Sequence, residues 1–130
     1  MLRNYVPRIV RKVARARLVC VRGFAAPPDS PTTFVSTPIF YVNAEPHIGH
    51  LYTALLSDAA ARWSRIEGNR TLFCTGTDEH GLKVQEAAQN AGKSPEEYCD
   101  MISRSFKQVF DRFDISYNDY IRTTENRHRD

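Results

Sequence analysis

The strongest constraint on the fold comes from two β-prone runs that enclose one helical segment. Residues 33–37 and 71–75 are short and rich in Thr and apolar residues, which is typical of buried parallel strands. Residues 47–67 between them carry apolar side chains at helical spacing, and Gly68 ends that pattern. A strand, a helix and a strand in this order predict an α/β fold with an open parallel sheet. The apolar residues of the helical pattern are Leu51, Leu55, Ala59 and Trp63.

The later part of the chain continues this alternation. Residues 82–91 are predicted to form a helix that Gly92 ends, and a Ser-Pro-Glu-Glu capping box at Ser94 opens a longer helix to about residue 113. Residues 120–123 predict a third strand. Because so few strands do not close a domain, we expect the chain to be the first part of something longer. The longer helix has an apolar stripe that we expect in the core: Tyr98, Met101, Ile102, Ser105, Phe106, Val109, Phe110 and Phe113.

The charge is divided unevenly along the 130 residues. Of the 18 basic and 15 acidic residues, seven basic and one acidic lie in residues 1–30, which leaves 11 basic against 14 acidic in the rest. Residues 1–24 are Arg-rich, with apolar residues at helical spacing, so they predict a mitochondrial presequence that the import machinery binds. A basic tail that binds nucleic acid is the alternative. The Pro-rich residues 25–32 predict a linker, and residues 33–130 predict the N-terminal part of the folded domain.

The composition excludes several classes of protein. With 42% hydrophobic and 25% charged residues, the chain is typical of globular proteins, and no apolar run is long enough for a transmembrane helix. No stable membrane association is therefore expected. The three cysteines are too scattered for a disulfide framework or a Cys-x-x-Cys zinc site, which favours a reducing compartment.

The first candidate motif is His47-Ile48-Gly49-His50, where the predicted strand turns into the helix. A helix N-terminus offers free N–H groups to an anion, and ligands of open α/β sheets bind at the carboxyl ends of strands. Gly49 lets a nucleotide approach the backbone, and the two imidazoles can donate hydrogen bonds to phosphate. Two alternatives remain open from these residues alone, a pair of surface histidines and an incomplete metal site.

The second candidate motif is the predicted loop at residues 76–81, directly after the second strand. Asp78 can pair with a substrate ammonium group. His80 could ligate a metal together with Asp78, but no third ligand is visible, so no metal site is predicted. The alternative is an acidic turn that caps the next helix.

Together the two motifs resemble the methionyl members of the class I aminoacyl-tRNA synthetases. Residues 37–50 resemble the first signature of that family, and residues 75–83 resemble its next signature at the expected distance. The resemblance implies a Rossmann-type catalytic domain that activates methionine with ATP and Mg²⁺ and transfers it to tRNA(Met). Combined with the presequence, it implies a mitochondrial matrix enzyme.

The resemblance also implies roles for individual residues. His47 and His50 match positions that contact the ATP phosphates and stabilise the transition state, and Gly49 matches the position that makes room for the nucleotide. Asp78 matches the carboxylate that holds the methionine ammonium. Pro38, Ile39 and Tyr41 match positions that line the methionine pocket.

This sequence departs from the family pattern in three respects. Phe40 stands where many relatives have Tyr, and Glu45 puts an acid beside the phosphate site, so it should face solvent or a magnesium ion. The second ATP signature, Lys-Met-Ser-Lys-Ser, does not occur in the 130 residues. We therefore expect this chain alone not to activate methionine. Another nucleotidyltransferase with His-x-Gly-His, a non-catalytic truncated product and a basic nucleic-acid-binding module remain as alternatives.

Overall fold

A computed structural model describes residues 31–129, and the predicted presequence and most of the predicted linker lie outside them. Strands and helices alternate as predicted, and the α/β class with a parallel sheet is confirmed. Among the described residues, no helix is long and apolar enough to cross a membrane. The elements are β1 (Thr32–Ser36), β2 (Phe40–Tyr41), α1 (Ile48–Ile66), β3 (Arg70–Asp78), α2 (Leu82–Asn90), α3 (Pro95–Arg112), β4 (Asp119–Arg122) and α4 (Asn126–Arg129).

The sheet is organised around β3, which pairs in parallel with β1, β2 and β4. Ser36 lies opposite Cys74, and Phe40 lies opposite Thr77. Phe40 is four residues after Ser36 but Thr77 is only three residues after Cys74, so the segment that pairs with β3 contains one extra residue. The extra residue falls around Pro38, which has no N–H to donate to the ladder. β1 and β2 are therefore two parts of one strand, separated by a bulge. From the sequence, residues 39–46 are predicted to form a loop because Pro38 ends the first β-prone run, and this prediction is wrong at β2.

The central strand β3 is longer than predicted and ends at Asp78. Gly76 belongs to this strand and not to a loop, because β4 approaches it closely. A Cβ atom at Gly76 would lie 1.9 Å from the backbone oxygen of Ile121. The predicted loop therefore begins only after Asp78, and the absent side chain of Gly76 permits the β3–β4 pairing.

The helices pack on one face of the sheet and leave the other face open. Val35 and Phe73 are cross-strand neighbours on the packed face, where Phe73 is fully buried. Phe34 and Leu72 are neighbours on the opposite face, where their exposed fractions are 66% and 53%. Side chains of consecutive strand residues point to opposite faces, which accounts for this separation.

Both long helices form as predicted. In α1 the predicted apolar residues Leu55 and Trp63 are exposed, and apart from Leu51 the buried positions hold small or polar residues. In α3 most of the predicted stripe is buried or half-buried, but Met101 is exposed and Cys99 is buried. Phe113, directly after α3, is also exposed. The buried residues of α1 are Leu51, Ala54, Asp58, Ala61 and Ser64, and those of α3 are Tyr98, Cys99, Ile102, Ser103, Phe106 and Phe110.

Candidate active site

His47 and His50 form a reciprocal cap at the start of α1. The Nδ1 atom of His47 accepts a hydrogen bond from the backbone N–H of Gly49 at 3.1 Å. The Nδ1 atom of His50 accepts one from the backbone N–H of His47, also at 3.1 Å. The rings stack with their centroids 3.8 Å apart. Two histidines thus accept the backbone hydrogen bonds that a Ser and a Glu accept in an ordinary capping box.

These hydrogen bonds fix the tautomer of both imidazoles. A ring nitrogen that accepts a hydrogen bond carries no proton, so each neutral ring carries its proton on Nε2. The two Nε2–H groups are then free to donate to an anion at the helix N-terminus. Burial, and then the neighbouring His47, lower the pKa of His50 from its ordinary value of 6.5, which favours this neutral form.

Gly49 is required by the cap itself. A Cβ atom at this position would lie 3.0 Å from Cε1 of His47 and 3.1 Å from its Nδ1. A larger residue would therefore push the imidazole away from the backbone N–H that it accepts from. Sequence analysis explained Gly49 by the room it gives a nucleotide, and did not detect this contact within the cap.

The short strand β2 brings the two motifs together. Its Phe40 ring lies 5.3 Å from the His50 ring, centroid to centroid, and Phe106 of α3 packs against both. The next residue, Tyr41, lies directly opposite Asp78 in the parallel ladder. The candidate phosphate-binding residues and the candidate ammonium-binding residue are thus held by neighbouring positions of one strand.

The residues matched to the methionine pocket lie along the same stretch of chain. Pro38 is exposed in the bulge, and the exposed fractions of Ile39 and Tyr41 are 43% and 59%. Asp78 is half-buried, and its Oδ1 accepts a hydrogen bond from the backbone N–H of His80 at 3.2 Å. Glu45 is exposed to solvent. Apolar surface and a carboxylate therefore occur together at the carboxyl end of β3.

Sequence analysis missed a buried ion pair next to Asp78. The Glu79 side chain is fully buried and accepts two hydrogen bonds from the Arg122 guanidinium, at 2.8 and 3.0 Å. Thr77 and Thr124 donate hydroxyl hydrogen bonds to the same carboxylate. Burial alone would raise the pKa of Glu79, but these hydrogen bonds outweigh burial and hold the pKa below its ordinary value. Asp100 accepts a further hydrogen bond from Arg122.

The two cysteines in the described part of the chain are free thiols. Cys99 is buried, and Cys74 is partly buried. Burial raises the pKa of both, and that of Cys99 reaches about 11. Neither thiol therefore has the thiolate character of a nucleophile at neutral pH.

Comparison with known proteins identifies the family. The family model described as "tRNA synthetases class I (M)" matches residues 33–130, which include both motifs and all of the sheet except its first residue, Thr32. The chain belongs to the methionyl class I tRNA synthetases. Among solved structures, the Mycobacterium tuberculosis methionyl-tRNA synthetase in complex with methionyl-adenylate is 41% identical, with a TM-score of 0.74 over 75% of this chain and 19% of that chain. This likeness confirms the predicted Rossmann-type catalytic domain.

Several curated relatives are named as mitochondrial methionine–tRNA ligases. The probable mitochondrial methionine–tRNA ligase of Dictyostelium discoideum is 59% identical over 78% of this chain and 18% of its own length. The mitochondrial methionine–tRNA ligase of Homo sapiens is 47% identical over 99% of this chain and 24% of its own length. The chain thus spans about a fifth of the length of the relatives it matches.

Proposed function

We propose that this chain carries the part of a methionine–tRNA ligase in which methionine and ATP meet. The observation that carries the proposal is the position of β2, which contacts His50 with one residue and pairs with Asp78 through the next. The similarity to a synthetase in complex with methionyl-adenylate supports the same chemistry. The reaction joins the carboxylate of methionine to the α-phosphate of ATP and releases pyrophosphate. The methionyl group is then transferred to tRNA(Met).

The two imidazoles are suited to stabilise the charge that develops on the phosphate. Their Nε2–H groups and the N-terminus of α1 supply hydrogen-bond donors that the cap holds in place before the substrate arrives. In this proposal His47 and His50 bind the ATP phosphates, and Gly49 permits both the cap and the approach of the nucleotide. No protein nucleophile is needed, because the methionine carboxylate itself attacks the phosphorus.

Methionine binds in this proposal between the bulge and the end of β3. The Asp78 carboxylate pairs with the ammonium group. The backbone N–H of His80 and the ladder to Tyr41 of β2 keep this carboxylate at a defined position. The exposed apolar surfaces of Pro38, Ile39 and Tyr41 contact the unbranched thioether side chain.

ATP enters this reaction as its magnesium complex. Mg²⁺ is usually bound by substrate phosphates together with one or two carboxylates, so it is written here as part of the substrate. Glu45 lies two residues before His47 and is exposed, which makes it the carboxylate available beside the phosphates. Within residues 31–129 no group of three metal-ligating side chains comes together.

We also propose that the protein acts in the mitochondrial matrix. The names of the relatives and the Arg-rich, acid-poor composition of residues 1–24 support this location. The import machinery would bind residues 1–24, and removal of these residues should abolish import into isolated mitochondria.

The deciding experiment is methionine-dependent ATP–pyrophosphate exchange by the full-length protein that contains these residues. His47→Ala is expected to lower kcat about 100-fold, since it removes a preorganised donor. Asp78→Asn is expected to raise the KM for methionine more than the KM for ATP. His128→Ala, at an exposed histidine in α4, serves as the matched control and should leave kcat and both KM values unchanged. Exchange that proceeds equally well without methionine would point to a different nucleotidyltransferase.

A further inference from the structure

The buried carboxylate of Glu79 lies directly after Asp78 but faces the other side of the sheet. Thr77 and Glu79 are buried, whereas Asp78 between them is half-buried and points to the opposite face. The two neighbours of Asp78 therefore fix its backbone together with the ladder to β2. A shift of Thr77 or Glu79 would move Asp78 as well.

The turn that follows β3 is joined to the segment that follows β4 by a continuous set of hydrogen bonds. The backbone N–H of Glu79 donates to the Thr123 hydroxyl at 2.9 Å, and the Glu79 carboxylate accepts from Arg122 and Thr124. His80 donates from Nε2 to the backbone oxygen of Thr123 at 3.2 Å. Most hydrogen bonds of Glu79 and His80 thus lead to residues 122–124 of the neighbouring strand end. The others come from the Thr77 hydroxyl, from the bond to Asp78 and from the Cys99 thiol of α3, which donates to the Glu79 backbone oxygen.

The ion pair has the features of a rigid support. The Arg122 fork binds both oxygens of Glu79, and such bidentate pairs fix orientation as well as distance. The Nη2 atom of Arg122 also donates to Asp100 of α3 at 2.6 Å, so Arg122 is itself anchored to a helix. No buried side-chain polar atom in the described part of the chain lacks a hydrogen-bond partner, so the cluster is complete without a ligand.

We propose that Glu79 is a positioning residue, which through its ion pair with Arg122 holds the Asp78 carboxylate where the methionine ammonium binds. This inference rests on the proposed function. Glu79 touches neither methionine nor ATP, and its effect is confined to the amino-acid side of the reaction. The phosphate side depends on His47 and His50, which another element holds.

The structure provides a matched control in a second buried carboxylate. Asp58 of α1 accepts hydrogen bonds from Arg62 and from the backbone N–H of Ser116, and its side chain is also nearly fully buried. This cluster ties α1 to the chain before β4, at the amino end of that strand and away from Asp78. Asp58→Asn therefore removes a comparable buried charge without touching the proposed support.

The test compares Glu79→Gln, Arg122→Lys and Asp58→Asn in the full-length protein. We expect Glu79→Gln and Arg122→Lys to raise the KM for methionine about 10- to 100-fold. The reason is that the Asp78 carboxylate, which pairs with the methionine ammonium, is displaced by a fraction of an ångström. The KM for ATP should stay within about twofold. Asp58→Asn should lower the thermal midpoint and leave both KM values unchanged.

Inhibition by two methionine analogues separates positioning from general destabilisation. Methioninol has the ammonium group of methionine, whereas the deaminated analogue of methioninol has no ammonium group. In Glu79→Gln, inhibition by methioninol should weaken while inhibition by the deaminated analogue stays the same, because only the ammonium contact is disturbed. Equal weakening of both, or an unchanged KM for methionine, overturns the proposal.

Failure of the proposed function would have a different result. If the unaltered protein shows no methionine-dependent exchange, the proposed function is overturned. If the unaltered protein is active and the Glu79 and Arg122 variants match Asp58→Asn in all constants, only the positioning role is overturned. Should Glu79→Gln not fold, Arg122→Lys, which keeps the positive charge but lacks the fork, decides the question by the same two readouts.

Discussion

The cap of α1 depends on unprotonated nitrogen atoms in two histidine side chains. A Ser or Asp cap keeps its acceptor at neutral pH, but an imidazole loses its Nδ1 acceptor when it becomes protonated. The same residues are proposed to bind phosphate. Helix stability and substrate binding at this site are therefore coupled through the protonation of His50.

This coupling predicts a pH-dependent stability. The folded-state pKa of His50 lies below its ordinary value of 6.5, so the unfolded chain takes up a proton at a higher pH than the folded one. The contribution of His50 to the free energy of unfolding is thus fully present above pH 6.5, and it is lost as pH falls from there through the folded-state pKa. Urea unfolding of the protein across this pH range measures the loss.

The matched variant for this prediction is His50→Gln. Gln at the third helical position can accept the same backbone N–H and does not titrate. Its pH dependence should lack the His50 contribution. A variant that loses as much stability with falling pH as the unaltered protein does would contradict the assignment to His50.

Gly49→Ala should damage the cap more specifically than another glycine substitution. The added Cβ would press on the His47 ring at 3.0 Å, which disrupts an N-cap worth about 1 kcal/mol. Gly68→Ala is the control, because its φ of +87° also makes alanine cost about 1 kcal/mol while no atom lies within 4 Å. The higher helix propensity of alanine offsets part of the loss of free energy of unfolding in Gly49→Ala, so exchange is the deciding measurement, and only Gly49→Ala should lower ATP–pyrophosphate exchange. Equal exchange in the two would refute this.

At the scale of elements, the pairing of β3 with β4 depends on Gly76. Alanine there would bring Cβ to 1.9 Å from the Ile121 oxygen, so one strand must move, at a cost of about 3 kcal/mol or more. Gly92→Ala, with a φ of +65° and open space, should cost about 1 kcal/mol. Denaturant titration gives both values, and faster hydrogen exchange at the Thr123 amide, which donates to Thr77, should accompany only Gly76→Ala. Similar losses in the two variants would show that β4 adapts easily.

Element prediction succeeded where the determining interactions are local. The capping box at Ser94 and the positive φ at Gly92 lie within a few residues of the helix ends that they define. Prediction failed where a segment that is distant in sequence determines the local structure. β2 is two residues long and exists only because β3 extends beside it, and Gly76 resembles a turn glycine until β4 lies against it.

The same distinction applies to the site. His47, Gly49 and His50 are neighbours in sequence, so their motif was visible directly. Glu79 and Arg122 are 43 residues apart, and no local pattern joins them. The period of two along a strand was the available signal for Glu79, because it puts Glu79 on the same face as Phe73, Thr75 and Thr77. The exposure of Trp63 and Met101 could not be predicted, because apolar periodicity identifies a helix but leaves the direction of its face to the neighbouring elements.

At the scale of the whole molecule, the described residues leave many large apolar side chains exposed. Phe34 and Leu72 lie side by side on the open sheet face, and Trp63 and Ile66 of α1 are exposed by 63% and 73%. Isolated exposed apolar residues are common, but contiguous ones favour association. The 130-residue chain should therefore self-associate at micromolar concentration and bind an apolar dye such as ANS.

Replacing both Phe34 and Leu72 by Thr tests whether this face is responsible. Threonine keeps the β-propensity, so the sheet should remain while dye binding and association decrease. Val35→Thr is the control, because Val35 packs against the core beside Phe73. Burial of its hydroxyl should cost about 1–3 kcal/mol of the free energy of unfolding and should not reduce dye binding. If the Phe34 and Leu72 double variant binds as much dye as the unaltered chain, the assignment of association to this sheet face is wrong.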